Sequence, residues 1–259
     1  MLVLFTINDS TISPTNNHMN YPQHLVGWFL DLLFPAKCIF CGLILGDNKY
    51  VCHKCLRSIP LYKKFECIGC RRYSKFGRTC FVCRKGNFVD HIFVVSDYGN
   101  NKIKKLIKSY KYRFIRDLYR PIASLIDKYL FWLSNKKQFN IFQNNPLLVP
   151  VPLNKYRLNW RGFNQAELIA QEIGRVMHFD LASSILIKIK SSPQADIEKR
   201  GERLANAIGK FEYDGDQLNG REVILVDDVC TTGATLNECA KILKANGAGK
   251  VYSLVIARG

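Results

Sequence analysis

Eight of the ten cysteines lie between Cys38 and Cys83, and they come in pairs. Cys38/Cys41, Cys52/Cys55, Cys67/Cys70 and Cys80/Cys83 are each separated by two residues. The surrounding stretch, 38–90, is basic and poor in aliphatic side chains. Such a segment cannot bury enough apolar surface to fold alone and needs a staple. Two thiolates spaced this way reach one tetrahedral ion at about 2.3 Å, because the intervening turn folds the sulfurs together. Four pairs therefore predict two four-cysteine sites, with Zn2+ as the structural ion. Binding would contribute roughly 10–16 kcal/mol of apparent folding free energy. Pairing in sequence order joins 38/41 to 52/55 and 67/70 to 80/83 through short loops. Cross-braced pairing closes longer loops at greater entropic cost, so the sequential arrangement is expected. A redox C-x-x-C would need a thioredoxin-like βαβ context that is missing, and an iron–sulfur cluster is the remaining alternative. Gly42, Lys54, Gly69 and Arg71 suit tight turns around thiolate charge. His53 is surplus to a four-ligand count and reads as a surface residue.

The rest of the chain divides around this module. Residues 1–24 are polar and aperiodic and read as a tail, with Met19 as a candidate start. Leu25, Trp28, Phe29, Leu32 and Leu33 follow a helical period that Pro35 ends. As a helix that run spans only about 15 Å, too short for a membrane crossing, and it carries Asp31. The N-terminus has neither a basic region nor a small-residue cleavage site, so a cytoplasmic location is expected. The cysteine module is assigned to 25–90 and a second domain to 91–259.

From His91 the pattern changes. Residues 91–99 read as a strand. Residues 101–112 read as a helix with Ile103, Leu106, Ile107 and Tyr110 inward and Lys102, Lys104, Lys105, Lys108 and Lys111 outward. A second helical pattern covers 122–133. A linker at 138–146 leads to a buried strand at 147–152, and the following loop carries Lys155, Arg157 and Arg161. A helix at 165–177 buries Ala166, Ile169, Ala170, Ile173 and Val176. After a polar loop at 191–201 come a strand at 222–226, a helix at 236–246 with Gly247 as its C-cap, and a strand at 250–257. Strands alternating with helices predict an α/β fold with a parallel sheet.

The strongest functional signal is VILVDDVCTTGAT, residues 223–235. Four apolar β-formers give a buried strand. Asp227 and Asp228 stand at its C-terminal end, where open α/β sheets bind ligands. Thr231, Thr232, Gly233, Ala234 and Thr235 then open a helix. Backbone N–H groups, hydroxyls and the positive helix end converge there on a place for a phosphate. Gly233, without a side chain, lets the loop wrap closely. Each part has a plainer reading as an N-cap or a turn, but the combination rarely arises by chance.

This segment resembles the signature loop of type I phosphoribosyltransferases, which bind phosphoribosyl pyrophosphate (PRPP). The resemblance implies a type I phosphoribosyltransferase-like parallel sheet bearing a small N-terminal zinc-ribbon module. It implies that Asp227 and Asp228 hold the ribose hydroxyls and that 231–235 hold the 5′-phosphate. Mg2+ would arrive on the pyrophosphate, keeping several waters. In that fold the loop after the 147–152 strand contacts pyrophosphate, which makes Arg161 the ligand residue there. Its alternative role is to pair with a neighbouring acid and order the RGFNQ turn. Residues 191–201 resemble the hood that closes over the ligand and excludes water. A narrower resemblance joins the knuckles, VPVPLNKYRLNWRGFNQ (149–165), the spaced Gln194, Arg203, Asn206 and Phe211, and the PRPP loop. Together, over about residues 32–258, they are similar to the ComF family, whose members include proteins of natural DNA transformation.

The chain carries 38 Lys+Arg against 21 Asp+Glu, a formal +17 that favours polyanion partners. From Lys37 to Arg120 there are 20 Lys+Arg against five acids, interleaved with Tyr62, Phe65, Tyr73, Phe76, Tyr110 and Tyr112. Basic grooves with stacking platforms bind single-stranded nucleic acid; a generic solvated basic face is the alternative. Two functions follow. One is a ComF-type protein that binds PRPP and handles single-stranded DNA, with a DNA-import helicase as a family-implied partner. The other is an active transferase that moves phosphoribose to an unidentified acceptor and releases pyrophosphate. Simple zinc-finger DNA binding leaves the PRPP loop unexplained. No catalytic residue is assigned: Cys230 and Cys239 read as small buried residues, and the five histidines form no cluster.

Overall fold

The computed structural model describes residues 36–45, 50–113, 115–135, 144–189 and 209–259. The tail and helix expected before residue 36, most of the 138–146 linker and the hood stretch 191–201 lie outside them, as do Gln194, Arg203 and Asn206.

Among the described residues the strands are β1 (His91–Asp97), β2 (Leu147–Pro150), β3 (Leu186–Lys188), β4 (Phe211–Tyr213), β5 (Val223–Cys230) and β6 (Val251–Arg258). In the order β1-β6-β5-β2 they form a parallel sheet, and β3 pairs with β4 as a separate antiparallel ribbon. All eight positions of β6 are buried, because it runs through the interior of the sheet with both faces covered. A strand in that position has no solvated face and reads as a nearly continuous apolar run.

The helices are α1 (His53–Arg57), α2 (Asn101–Tyr112), α3 (Tyr119–Ser134), α4 (Lys155–Arg161), α5 (Gln165–Met177) and α6 (Ala234–Ala245). Side chains alternate across a strand, so β5 sends Ile224 and Val226 one way and Val223 and Leu225 the other. The first pair meets Ile103, Leu106, Ile126 and Ile169 of α2, α3 and α5. The second meets Leu236, Cys239 and Leu243 of α6.

Several element boundaries differ from expectation. β5 runs past 226, through both acids to Cys230, because β6 offers it partners as far as Arg258. α6 begins at Ala234 rather than 236, with Gly233 as its N-cap at φ 82°. The segment read as a loop carrying Lys155, Arg157 and Arg161 is helix α4. Asn154 starts it by accepting from Arg157 N, and Gly162 stops it at φ 75°. α3 starts at Tyr119 because Pro121 is tolerated in a first turn, where its missing N–H has no intrahelical partner to lose.

The cysteine-rich segment packs directly on this sheet domain. In each of its two knuckle pairs the residue after the second cysteine has left-handed backbone, Gly42 at φ 76° and Arg71 at φ 62°. Each turn then closes a β-bridge, Lys37 with Ile44 and Glu66 with Tyr73. Ile39, Phe40, Tyr50 and Val51 of the first pair pack on the α2–α3 side of the core. Ile68 and Val89 join the α6 side. At the entry to β1, Asp90 N donates to Val251 O at 2.8 Å, and its carboxylate meets Lys244 Nζ at 2.7 Å.

Candidate functional site

The eight cysteines gather into two groups, Cys38/Cys41/Cys52/Cys55 and Cys67/Cys70/Cys80/Cys83, with all sulfurs of a group within 4.8 Å of one another. The pairing is therefore sequential. Cys41 and Cys52 Sγ lie 3.7 Å apart, and Cys70 and Cys80 Sγ 3.8 Å. Four sulfurs on a tetrahedral ion at about 2.3 Å stand about 3.8 Å from one another, so these spacings suit Zn2+. Backbone N–H groups support the thiolates: Cys52 N donates to Cys38 Sγ at 3.4 Å and Cys80 N to Cys67 Sγ at 3.3 Å. Burial opposes ionisation of Cys38 and Cys67, but several backbone N–H groups and a neighbouring cysteine on each sulfur together outweigh it and hold both thiols below the ordinary cysteine range. Each group could hold one zinc ion. Cys230 and Cys239 stand apart, 2% and 0% exposed, and burial pushes both thiols up, which leaves them inert.

β5 delivers the acidic pair. Pro150 of β2 lies opposite Val226, and Val255 of β6 lies opposite Asp227, so the acids sit where β2 has ended while β5 still pairs with β6. Asp228 is buried, and its Oδ1 accepts a hydrogen bond from Lys111 Nζ at 2.7 Å. Lys111 was expected to face solvent with the other α2 lysines. It sits instead in the last turn of α2, where the helix passes over the end of β5, and it is a site residue that sequence spacing missed. Asp227 keeps some surface while sitting deep among protein atoms. That burial first, and the Asp228 charge second, push its carboxyl up to about 7 against the pull of Lys111 and Lys188. Lys188, at the end of β3, lies over the Phe211 ring at 5.3 Å. Burial and then Arg157 lower its pKa, and the Asp227 charge works the other way.

The loop follows immediately. Thr232 Oγ1 accepts from Ala234 N at 3.3 Å. A Cβ on Gly233 would stand 2.9 Å from Ile68 Cγ1, so packing and backbone both require glycine. α6, with Thr235 in its first turn, turns the positive end of its dipole to this loop. Arg161, the last residue of α4, is 7% exposed. Its Nη1 donates to Gln165 Oε1 at 2.9 Å, and its guanidinium lies over the Tyr112 ring at 5.4 Å. It thus binds the Gln165 amide within the RGFNQ turn and ties that turn to the end of α2 that carries Lys111.

A family model described as "Phosphoribosyl transferase domain" matches residues 118–259. The matched range holds β2, β5 and β6 of the parallel sheet with the acidic pair and the Gly233 turn, and the chain belongs to this family. Within it the two cysteine clusters and the curated relatives mark a ComF family member. The chain is 27% identical over 222 residues to Competence protein ComFC of Bacillus subtilis (strain 168), covering 83% of this chain and 87% of the relative. It is 26% identical over 226 residues to Competence protein F of Haemophilus influenzae, covering 80% and 96%. It is 26% identical over 230 residues to DNA utilization protein YhgH of Escherichia coli (strain K12), covering 88% and 99%. No helix among the described residues is long and apolar enough to cross a membrane.

Proposed function

We propose that this chain binds PRPP with Mg2+ at the end of β5 and handles single-stranded DNA on its basic face. The observation that carries the first part is the Asp227–Asp228 pair followed at once by the Gly233 turn and the start of α6. In this reading the two carboxylates accept from the ribose hydroxyls, and residues 231–235 take the 5′-phosphate. Lys111, Lys188 and Arg161 flank the pyrophosphate side with positive charge, and Mg2+ enters on the pyrophosphate oxygens. Calorimetry with Mg2+ and PRPP tests it on wild type and Asp227→Asn/Asp228→Asn. Binding lost in the double variant supports the site. Equal binding, or none by zinc-loaded wild type, rejects it.

One observation favours phosphoribosyl transfer as a second reading. The β3–β4 ribbon brings Lys188 within electrostatic reach of Asp227, so a covering element adjoins the acids. Acceptor-dependent pyrophosphate release that Asp227→Asn abolishes would support it.

The DNA part rests on charge and exposed rings. Lys104, Lys105, Lys108, Tyr112 and Arg113 line a cleft of about 400 Å³ along α2. Tyr73 and Phe81 are 80% and 85% exposed, in knuckle loops that also carry Arg72 and Arg84. Cations neutralise phosphates and open rings stack bases. The relatives' names, with their competence and DNA utilization, support this reading. Lys104→Glu/Lys108→Glu should weaken single-stranded DNA binding and flatten its salt dependence; an unchanged slope rejects the surface. A DNA-import helicase is the protein partner this reading implies, and co-purification tests it.

A further inference from the structure

Both halves of the second cysteine cluster are tied to the segment around Gly233, one to the 231–235 loop and the other to the first turn of α6. Ile68, inside the Cys67–Cys70 turn, is fully buried beneath Gly233. Arg71, directly after Cys70, donates from Nη2 to Thr231 O at 2.7 Å and to Gly259 O. Arg258, paired with Cys230 in the sheet, reaches back into the same turn. Its Nη1 donates to Cys67 O at 3.2 Å and to Glu66 Oε1 at 2.8 Å, and its Nη2 donates to Ile68 O. From the Cys80–Cys83 half, Phe88 N donates to Asn237 Oδ1 at 2.6 Å, and Asn237 Nδ2 donates to Gly86 O at 2.9 Å. Asn237 belongs to the first turns of α6, so the loop is held at both ends.

The first cluster makes a different use of the same turn. Its residue after the second cysteine is Gly42, with nothing within 4 Å of where a Cβ would stand. At the matching place the second cluster has Arg71, which accepts left-handed backbone at φ 62°. That conformation costs a non-glycine residue about 1 kcal/mol or more. The side chain gained in exchange is the one that holds Thr231. Ile39, Phe40 and Val51 of the first cluster pack on the α2–α3 core instead.

We propose that occupancy of the second cluster sets the shape of the 231–235 loop, with Arg71 and Ile68 as its positioning residues, and that the first cluster has no such role. The consequence for ligand affinity rests on the PRPP reading; the consequence for loop order does not. The test uses full-length zinc-loaded protein and hydrogen–deuterium exchange of the peptide spanning 231–236, with Mg2+–PRPP calorimetry beside it. In Arg71→Met the loop should exchange about tenfold faster and PRPP affinity should fall by about the same factor, from the loss of the charge-assisted hydrogen bond that reaches Thr231. Arg71→Lys should recover part of both. Cys83→Ser and Cys41→Ser should each lose one zinc, but only Cys83→Ser should loosen the loop. Wild-type exchange in Arg71→Met, or equal loosening in the two cysteine variants, overturns the proposal. If wild type binds no PRPP, the ligand reading falls while the exchange data still decide the coupling.

Discussion

Lys111 Nζ lies 2.7 Å from Asp228 Oδ1 and joins the end of α2 to the end of β5. The two side chains are 19% and 12% exposed, so the pair is largely shielded from water. Removing the lysine leaves a carboxylate with little solvent to replace it. Lys111→Met should therefore cost about 2 kcal/mol, less than a fully buried pair because both groups keep some exposure. It should weaken PRPP binding as well. Lys111→Arg keeps the charge and should restore most of both. Urea midpoints and calorimetry check this, and a double-mutant cycle with Asp228→Asn isolates the pair.

Burial and the adjacent Asp228 raise Asp227 from 3.8 to about 7, which makes the site pH-dependent. A carboxylate that accepts from ribose hydroxyls has to be ionised, so PRPP binding should strengthen as pH rises through about 7. Stability moves the other way. Between about 4 and 7 the unfolded chain has released a proton that folded Asp227 still holds, so rising pH favours unfolding in that window. Asp227→Asn should remove that stability slope and bind PRPP weakly at every pH. Dissociation constants and denaturation midpoints from about pH 5.5 to about 8.5, the range that brackets the raised carboxyl, would show an unchanged slope in the variant if the assignment were wrong.

Gly233 and Gly42 share left-handed backbone, at φ 82° and 76°, but only Gly233 faces a neighbour closer than 3 Å. Gly42→Ala should cost about 1 kcal/mol from the backbone alone. Gly233→Ala should cost about 1–3 kcal/mol more, through contact with Ile68. Adding Ile68→Ala to Gly233→Ala should relieve part of that penalty, and non-additive denaturation midpoints would report it.

Metal removal gives the broadest readout. Zinc-loaded protein should contain two ions per chain, one for each cysteine group, and stripping both should lower Tm by about 10 °C or more. The effect should reach the sheet, because Ile68 and Val89 are part of the core packed on α6. Elemental analysis and calorimetric unfolding check it; an unchanged Tm after complete stripping would count against a structural metal.

The cysteine groups were readable from sequence because C-x-x-C geometry is local, and short-loop closure chose the partners. The Asp227–Asp228 strand end and Gly233 were readable for the same reason: strand, acids and turn are consecutive. α4 was missed because seven residues are too few to show a period. β3 and β4, at three residues each, carry no alternation to detect. Lys111 shares an i, i+4, i+7 stripe with Lys104 and Lys108, and nothing on that stripe announces a partner 117 residues away. Arg71 read as a turn residue offsetting thiolate charge. Its bond to Thr231 exists only once knuckle and sheet have docked.

The place of β6 in the sheet also bears on synthesis. It lies between β1 and β5 and is the last of the four sheet strands to leave the ribosome. Until it emerges, β1 lacks the strand it pairs with among the described residues, and the α2–α3 hairpin packs on an incomplete floor. The knuckles differ, since all eight of their cysteines precede every strand of the sheet in the chain. The nascent chain therefore closes first around metal and last around its sheet, and a ribosome stalled before residue 251 presents the unpaired β1 edge to chaperones.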